Sequence, residues 1–159
     1  MRKNMLAVLT IVPVLTGYML NRTVLIPGLG TLLYYLLPCV VFVFWFYLGS
    51  NYSKSGWNIL QSAMIGNWAG FLSLLLYLWQ FLLCDDGGRN LLLSALSQSF
   101  ASNTILVTAK LALLFEPEEN AVTQASITAM QILGLLLMVL IFSAGYAFGK
   151  ARNRRRAME

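Results

Sequence analysis

Uncharged polar side chains recur at helical spacing in an apolar part of this chain. Gln124, Thr128 and Gln131 are four and then three residues apart, so they share one face of a helix. Polar groups inside a membrane usually face a bundle interior or a water-filled cavity, and an ionisable group such as Lys110 is a functional candidate. The pattern predicts a polar cavity for a small molecule. The residues predicted to line it are Gln98, Asn103, Lys110, Gln124, Thr128 and Gln131.

The same residues have a simpler interpretation. Each polar group would then only hydrogen-bond one membrane helix to another, a contact worth about 0.6 kcal/mol on average. Lys110 would extend its ammonium group to the membrane surface. Both interpretations remain open at this point.

No residue pattern points to catalysis. The chain has no His, which excludes imidazole triads and His-containing zinc sites. Asp85 and Asp86 precede Gly-Gly and are typical of a solvated turn, and Cys39 and Cys84 are not part of a Cys-x-x-Cys motif. Phosphate-loop, dinucleotide, kinase and metalloprotease signatures are absent. We therefore expect no enzyme, no catalytic residue, no metal and no cofactor; an intramembrane enzyme is the third-ranked hypothesis.

Composition places the chain in a membrane. Hydrophobic residues make up 58% and charged residues 11% of the 159 residues, with a mean hydropathy of +0.71. Lipid requires every backbone polar group to be bonded within its own segment, and the long apolar runs lack the alternation of a transmembrane barrel. The predicted fold class is an all-α integral membrane helix bundle. Residues 1–149 form its single domain and 150–159 a basic tail.

Four segments are clear transmembrane predictions: 5–20, 31–49, 57–83 and 122–149. The first has a basic start but no small-x-small cleavage site, so we expect an uncleaved helix rather than a signal peptide.

Segment 89–115 is ambiguous, because its ends are apolar and its middle is polar. It is either a fifth span or a re-entrant helical hairpin that breaks near Ser102 and Asn103. With the hairpin, eight basic residues lie inside and Arg22, Arg89 and Lys110 lie outside; with a fifth span the inside holds seven. This margin is too small to decide.

Two pairs of glycines predict close helix contacts. Gly66 and Gly70, and also Gly145 and Gly149, are four residues apart in apolar segments, which allows the backbone of another helix to approach. The partner helix is expected within the same chain, with homo-oligomerisation or a second membrane subunit as the alternative.

The net charge of +5 does not indicate nucleic-acid binding, because five basic residues lie within the last ten positions, directly after an apolar run. This is the pattern of a cytoplasmic flank, so we expect a multi-pass protein of the plasma membrane with a cytoplasmic C-terminus. The expected function is transport or permeation of a small molecule, alone, as a homo-oligomer or as one subunit. The alternative is an accessory or scaffold subunit of a larger membrane complex.

Overall fold

Helices account for nearly all of the chain. The computed structural model describes residues 3–112, 114, 123–156 and 158, and this part contains no β-strand. Its α-helices are α1 (Lys3–Leu9), α2 (Val12–Thr23), α3 (Leu29–Tyr52), α4 (Ile59–Gly66), α5 (Trp68–Leu78), α6 (Leu91–Ser102), α7 (Ile105–Ala112) and α8 (Gln124–Arg156). A single π-helical turn, Trp79–Leu83, continues α5, and a short 3-10 turn, Asp86–Gly88, follows it.

Three stretches are long and apolar enough to cross a membrane: Met5–Thr23 (α1 and α2), Leu29–Tyr52 (α3) and Gln124–Arg156 (α8). Two further helix pairs are bent, α4 and α5 by 55° and α6 and α7 by 91°, so the number of spans rises to five if each bent pair is one span. The all-helical fold class is confirmed. The predicted start of the last span at Val122 and the end of segment 89–115 lie outside the described residues.

The third predicted span, 57–83, is not one continuous helix but two helices, α4 and α5, that meet at a bend of 55°. The helix breaks at Asn67, whose backbone leaves helical geometry at φ −109° and ψ 15°. Asn67 is fully buried; its Nδ2 donates to the Ala63 carbonyl oxygen at 2.9 Å, and its Oδ1 accepts from Trp45 Nε1 at 3.1 Å. An Asn side chain competes with the backbone for hydrogen bonds, and here the bond from Trp45 holds that competing arrangement in place.

Segment 89–115 also breaks, at the position suggested by its polar middle. α6 ends at Ser102, Asn103 and Thr104 form the turn, and α7 begins at Ile105. The segment is therefore two helices bent by 91°, and it fits either of the predicted alternatives, a fifth span that is broken or a re-entrant hairpin. The Ala101 carbonyl oxygen near the end of α6 accepts two hydrogen bonds from Thr104, one from its backbone N–H at 2.9 Å and one from its hydroxyl at 2.6 Å.

Helices α3 and α8 run parallel and in close contact. A Cβ on Gly145 would clash with the carbonyl oxygen of Phe46, and one on Gly149 with that of Ser50, so the contacts follow the same order along both helices. The two helices end side by side, and we call this end of the bundle the tail end. The opposite end, where α5 ends and α8 begins, is called the distal end.

Aromatic residues fill the core between the middle of the bundle and the tail end. The Trp45 ring lies 6.1 Å from that of Phe100 and 5.9 Å from that of Phe142, and Tyr52 is 5.1 Å from Phe142 between ring centroids. These four side chains are at most 2% exposed. Edge-on and tilted ring pairs of this kind add to the energy of burial. This half of the core therefore consists of closely packed aromatic side chains.

Candidate functional site

Polar side chains gather toward the distal end, where α5, α6 and α8 meet. The centre of this group is the Tyr77 hydroxyl on α5, whose side chain is fully buried. It accepts a hydrogen bond from Gln124 Nε2 at 2.8 Å and lies 3.3 Å from Thr128 Oγ1. Thr128 itself donates to the Gln124 carbonyl oxygen at 2.7 Å, which leaves the Tyr77 hydroxyl as the donor to Thr128. Two of the predicted cavity residues are thus joined through a tyrosine.

Gln131 lies one turn further along the same face of α8. It is three residues from Thr128, which meets α5, and three from Gly134, where a Cβ would stand 2.6 Å from Thr104 Oγ1. Its side chain is therefore directed between α5 and the break that separates α6 from α7. Gln131 is only 8% exposed, yet its carboxamide forms no hydrogen bond with any residue in the described ranges.

Serines on α5 and α6 contribute the other wall. Ser73 donates to the Ser97 carbonyl oxygen at 2.6 Å, and Ser97 donates to that of Ser94 at 2.8 Å. The Ser94 side chain is 7% exposed, and its Oγ is a buried polar atom that has no partner in the part of the chain the structure describes. Tyr77 is one turn from Ser73 on α5, so these two side chains share one face of that helix and connect the serines with the group around Tyr77.

These residues are called the distal polar cluster. Its members are Ser73, Tyr77, Ser94, Ser97, Gln124, Thr128 and Gln131. Every one of them is a hydroxyl or a carboxamide, a neutral group that both donates and accepts hydrogen bonds. Two other buried hydroxyls without a partner in the described ranges, those of Tyr52 and Ser62, belong to the half of the bundle toward the tail end.

Asn103 does not belong to this cluster. It is fully buried at the break between α6 and α7, and its Nδ2 donates to the carbonyl oxygens of Pro13 at 2.6 Å and Phe100 at 3.0 Å. Its Oδ1 accepts from the Thr16 hydroxyl at 2.8 Å. The Asn103 amide is therefore used to fix the break against α2.

The two remaining residues predicted to line the cavity, Gln98 and Lys110, form no side-chain hydrogen bond with the described residues. Gln98 is half-buried on α6, and its side chain has no hydrogen-bond partner among the described residues. Lys110 is exposed near the end of α7 and forms no ion pair with the residues that the structure describes. The structure thus brings Gln124, Thr128 and Gln131 together and leaves Lys110 at the surface.

Sequence reasoning missed Tyr77 as the centre of the cluster. The available signal was its spacing, because Tyr77 is four residues after Ser73 in an otherwise apolar segment. A buried tyrosine hydroxyl usually finds a partner, so its presence there predicts a polar neighbour.

A π-helical turn closes the distal end of the cluster. Gln80 lies in this turn and is 1% exposed; its Oε1 accepts from the Asn90 backbone N–H at 2.8 Å. Arg89 donates from Nε to the Gln80 carbonyl oxygen at 3.1 Å and lies over the Phe81 ring. These contacts tie the start of α6 to the end of α5. Single π-helical turns occur frequently at functional sites.

The four predicted packing glycines are all buried against the same chain. A Cβ on Gly66 would clash with the Phe142 ring, and one on Gly70 with the Phe100 ring and Leu135. Gly145 and Gly149 of α8 pack against the backbone of α3, as described above. Within the described residues, the glycine faces are therefore occupied by intrachain neighbours.

No group of three or more His, Cys, Asp or Glu residues within the described ranges is placed to hold a metal ion. No protein-family model matches the chain, and neither a curated protein nor a solved structure shows significant similarity to it.

Proposed function

We propose that this chain is a multi-pass membrane protein that contributes to the transport or permeation of a small polar solute, alone or as one subunit. The distal polar cluster is its solute site. Its location is the plasma membrane, with the tail end in the cytoplasm. Its long apolar helices and its composition support the membrane location, and the basic residues at the end of the chain support the cytoplasmic side for the tail end.

In this proposal α6 and α7 form a re-entrant hairpin that enters from the distal side and returns to it. The parallel arrangement of α3 and α8 supports this topology. One crossing through α4 and α5 reverses the chain, so a second complete crossing through α6 and α7 would make α8 antiparallel to α3. Lys54 and the basic tail then share the cytoplasmic side, in agreement with the positive-inside rule.

The observation that carries the functional proposal is the buried Ser94 hydroxyl of the distal polar cluster, which has no hydrogen-bond partner in the described part of the chain. Gln131 adds to it as a residue that is only 8% exposed and whose carboxamide also forms no hydrogen bond there. A buried polar group without a partner costs about 1–3 kcal/mol, so its retention calls for a compensating role. A bound solute that donates and accepts hydrogen bonds supplies that role. Because all cluster members are neutral, the solute class that they fit best is uncharged and polar; a buried charge would need an opposite charge nearby.

An accessory or scaffold subunit is the second candidate function. In the sequence, this role is suggested by the two pairs of closely spaced glycines. In the structure, however, these four glycines contact other residues of the same chain: Gly66, Gly70, Gly145 and Gly149. A scaffold would therefore use a different surface for its partner.

Native mass spectrometry of the protein, extracted in mild detergent at natural expression levels, tests the proposal. A monomer or homo-oligomer that carries a small-molecule mass, lost in Gln131→Leu and kept in Asn51→Leu, supports a solute site in the cluster. Asn51 is a suitable control because, within the described ranges, its amide bonds only to the Tyr47 carbonyl of its own helix. A stoichiometric second chain without a small-molecule mass supports the accessory role instead.

A further inference from the structure

The last turns of α8 extend beyond the membrane core. The helix has 33 residues, which corresponds to about 50 Å, whereas the hydrocarbon core of a bilayer is about 30 Å thick. Its final turns carry the basic residues, and they remain helical as far as Arg156. A rigid helix keeps the faces of these turns distinct, so each basic side chain has a defined direction.

One face of these turns combines aromatic and basic residues. Phe148, Ala151, Arg152 and Arg155 line a cleft of about 200 Å³ on this face. The Arg152 guanidinium lies 6.0 Å from the centroid of the Phe148 ring. The Phe148 ring is in turn 5.6 Å from that of Phe46 on α3. The result is a continuous surface that changes from apolar to cationic toward the tail end.

The aromatic part of this surface is open. Phe148 is 54% exposed and Phe46 is 37% exposed, so part of each side chain is accessible from outside the bundle. Arg152 and Arg155 are also exposed, and neither forms an ion pair within the described part of the chain. Two guanidinium groups with free donors therefore stand beside an uncovered apolar surface.

We propose that Phe46, Phe148, Arg152 and Arg155 form a binding site for an anionic phospholipid. The lipid phosphate lies between the two guanidinium groups, whose planar forks match phosphate oxygens with paired hydrogen bonds. An acyl chain lies along the two phenylalanine rings. This site rests on the proposed membrane location, because it requires the end of the apolar surface to coincide with the headgroup level.

General attraction between the basic tail and an anionic membrane is the competing explanation. In that case each Lys or Arg near the surface contributes a similar amount, regardless of its direction on the helix. The chain offers a matched comparison. Lys150 and Arg154 are exposed, lie at the same depth and carry the same total charge, but helical periodicity puts them on the face roughly opposite Arg152.

The experiment measures binding of phosphatidylglycerol and phosphatidylcholine with identical acyl chains to the full chain in detergent, by native mass spectrometry. We expect the affinity of Lys150→Gln/Arg154→Gln for phosphatidylglycerol to lie within about twofold of that of the wild type. The affinity of Arg152→Gln/Arg155→Gln should be about tenfold lower than that of the wild type. Phe148→Ala, which removes no charge, is expected to weaken binding as well. Equal losses in both double variants, or equal binding of the two lipids, would overturn the site.

Failure of this inference is distinguishable from failure of the membrane proposal. A protein that requires detergent and co-floats with liposomes, yet binds phosphatidylglycerol without preference for either helix face, disproves the lipid site alone. A chain that stays in the aqueous phase without detergent and does not co-float disproves both.

Discussion

Asn153 on α8 donates a hydrogen bond from Nδ2 to the Ser53 hydroxyl at 3.3 Å, immediately after α3 ends. The Tyr146 hydroxyl, two turns earlier on α8, donates to the Trp57 carbonyl oxygen at 2.7 Å. The connection between α3 and α4 therefore lies at the tail end, next to the basic residues. This relationship supports the proposed re-entrant topology over a complete fifth span, two arrangements that charge counting left almost equal.

The first prediction concerns this topology. In a variant with Cys39 and Cys84 replaced by Ser, a membrane-impermeant maleimide should label Gly87→Cys in intact cells and Lys54→Cys only after permeabilisation. Both positions are exposed. The physical reason is that Lys54 shares the tail end, whereas Gly87 lies at the distal end. A complete fifth span with the tail inside predicts the reverse result for both positions.

The second prediction concerns the contact between α3 and α8. Gly145→Ala should lower the free energy of unfolding by about 1–3 kcal/mol, because the added Cβ would meet the Phe46 carbonyl group and force the helices apart. Gly87→Ala is the control, since a Cβ there meets nothing within 4 Å. Unfolding in detergent, followed by circular dichroism, measures the difference. Equal stability of the two variants would contradict the close contact.

The third prediction concerns the break between α6 and α7. Asn103→Ala should destabilise the protein by about 1–3 kcal/mol, because it removes the bonds to Pro13 and Thr16 and leaves buried polar groups unpaired. Asn153→Ala removes one longer bond at the end of the bundle and should cost less than about 0.6 kcal/mol. The same unfolding measurement compares them. A cost for Asn103→Ala no larger than that control would show that the break does not depend on this side chain.

The helical class and the positions of most segments were predictable, because long apolar runs leave the backbone few alternatives in lipid. The break near Asn103 was also visible, since Ser102, Asn103 and Thr104 interrupt an apolar segment. The break at Asn67 was not. It depends on a hydrogen bond from Trp45, which is 22 residues away, and sequence spacing within one segment carries no information about that contact.

The candidate site was predictable only along single helices. The spacing of Gln124, Thr128 and Gln131 correctly placed them on one face of α8, but it did not reveal Tyr77 as their partner on α5. Asn103 was predicted to line the cavity because a sequence does not distinguish an amide that binds a ligand from one that holds helices together. In the structure its amide bonds to Pro13 and so connects the break between α6 and α7 to α2. Helical periodicity identifies a face; the tertiary fold decides what that face meets.

The central claim is that the distal polar cluster passes an uncharged polar solute. It is tested most directly by stopped-flow light scattering of proteoliposomes during uptake of glycerol and urea, with any stoichiometric partner chain included. We expect protein-dependent uptake of at least one solute. Gln131→Leu should reduce it by about tenfold, which corresponds to about 1.4 kcal/mol. Asn51→Leu should leave it unchanged.

Ser94→Ala should also alter uptake more than Ser99→Ala, because the buried Ser99 hydroxyl already bonds to Ala95 of its own helix. Uptake equal to that of protein-free vesicles for both solutes, or unchanged by Gln131→Leu, would contradict the account.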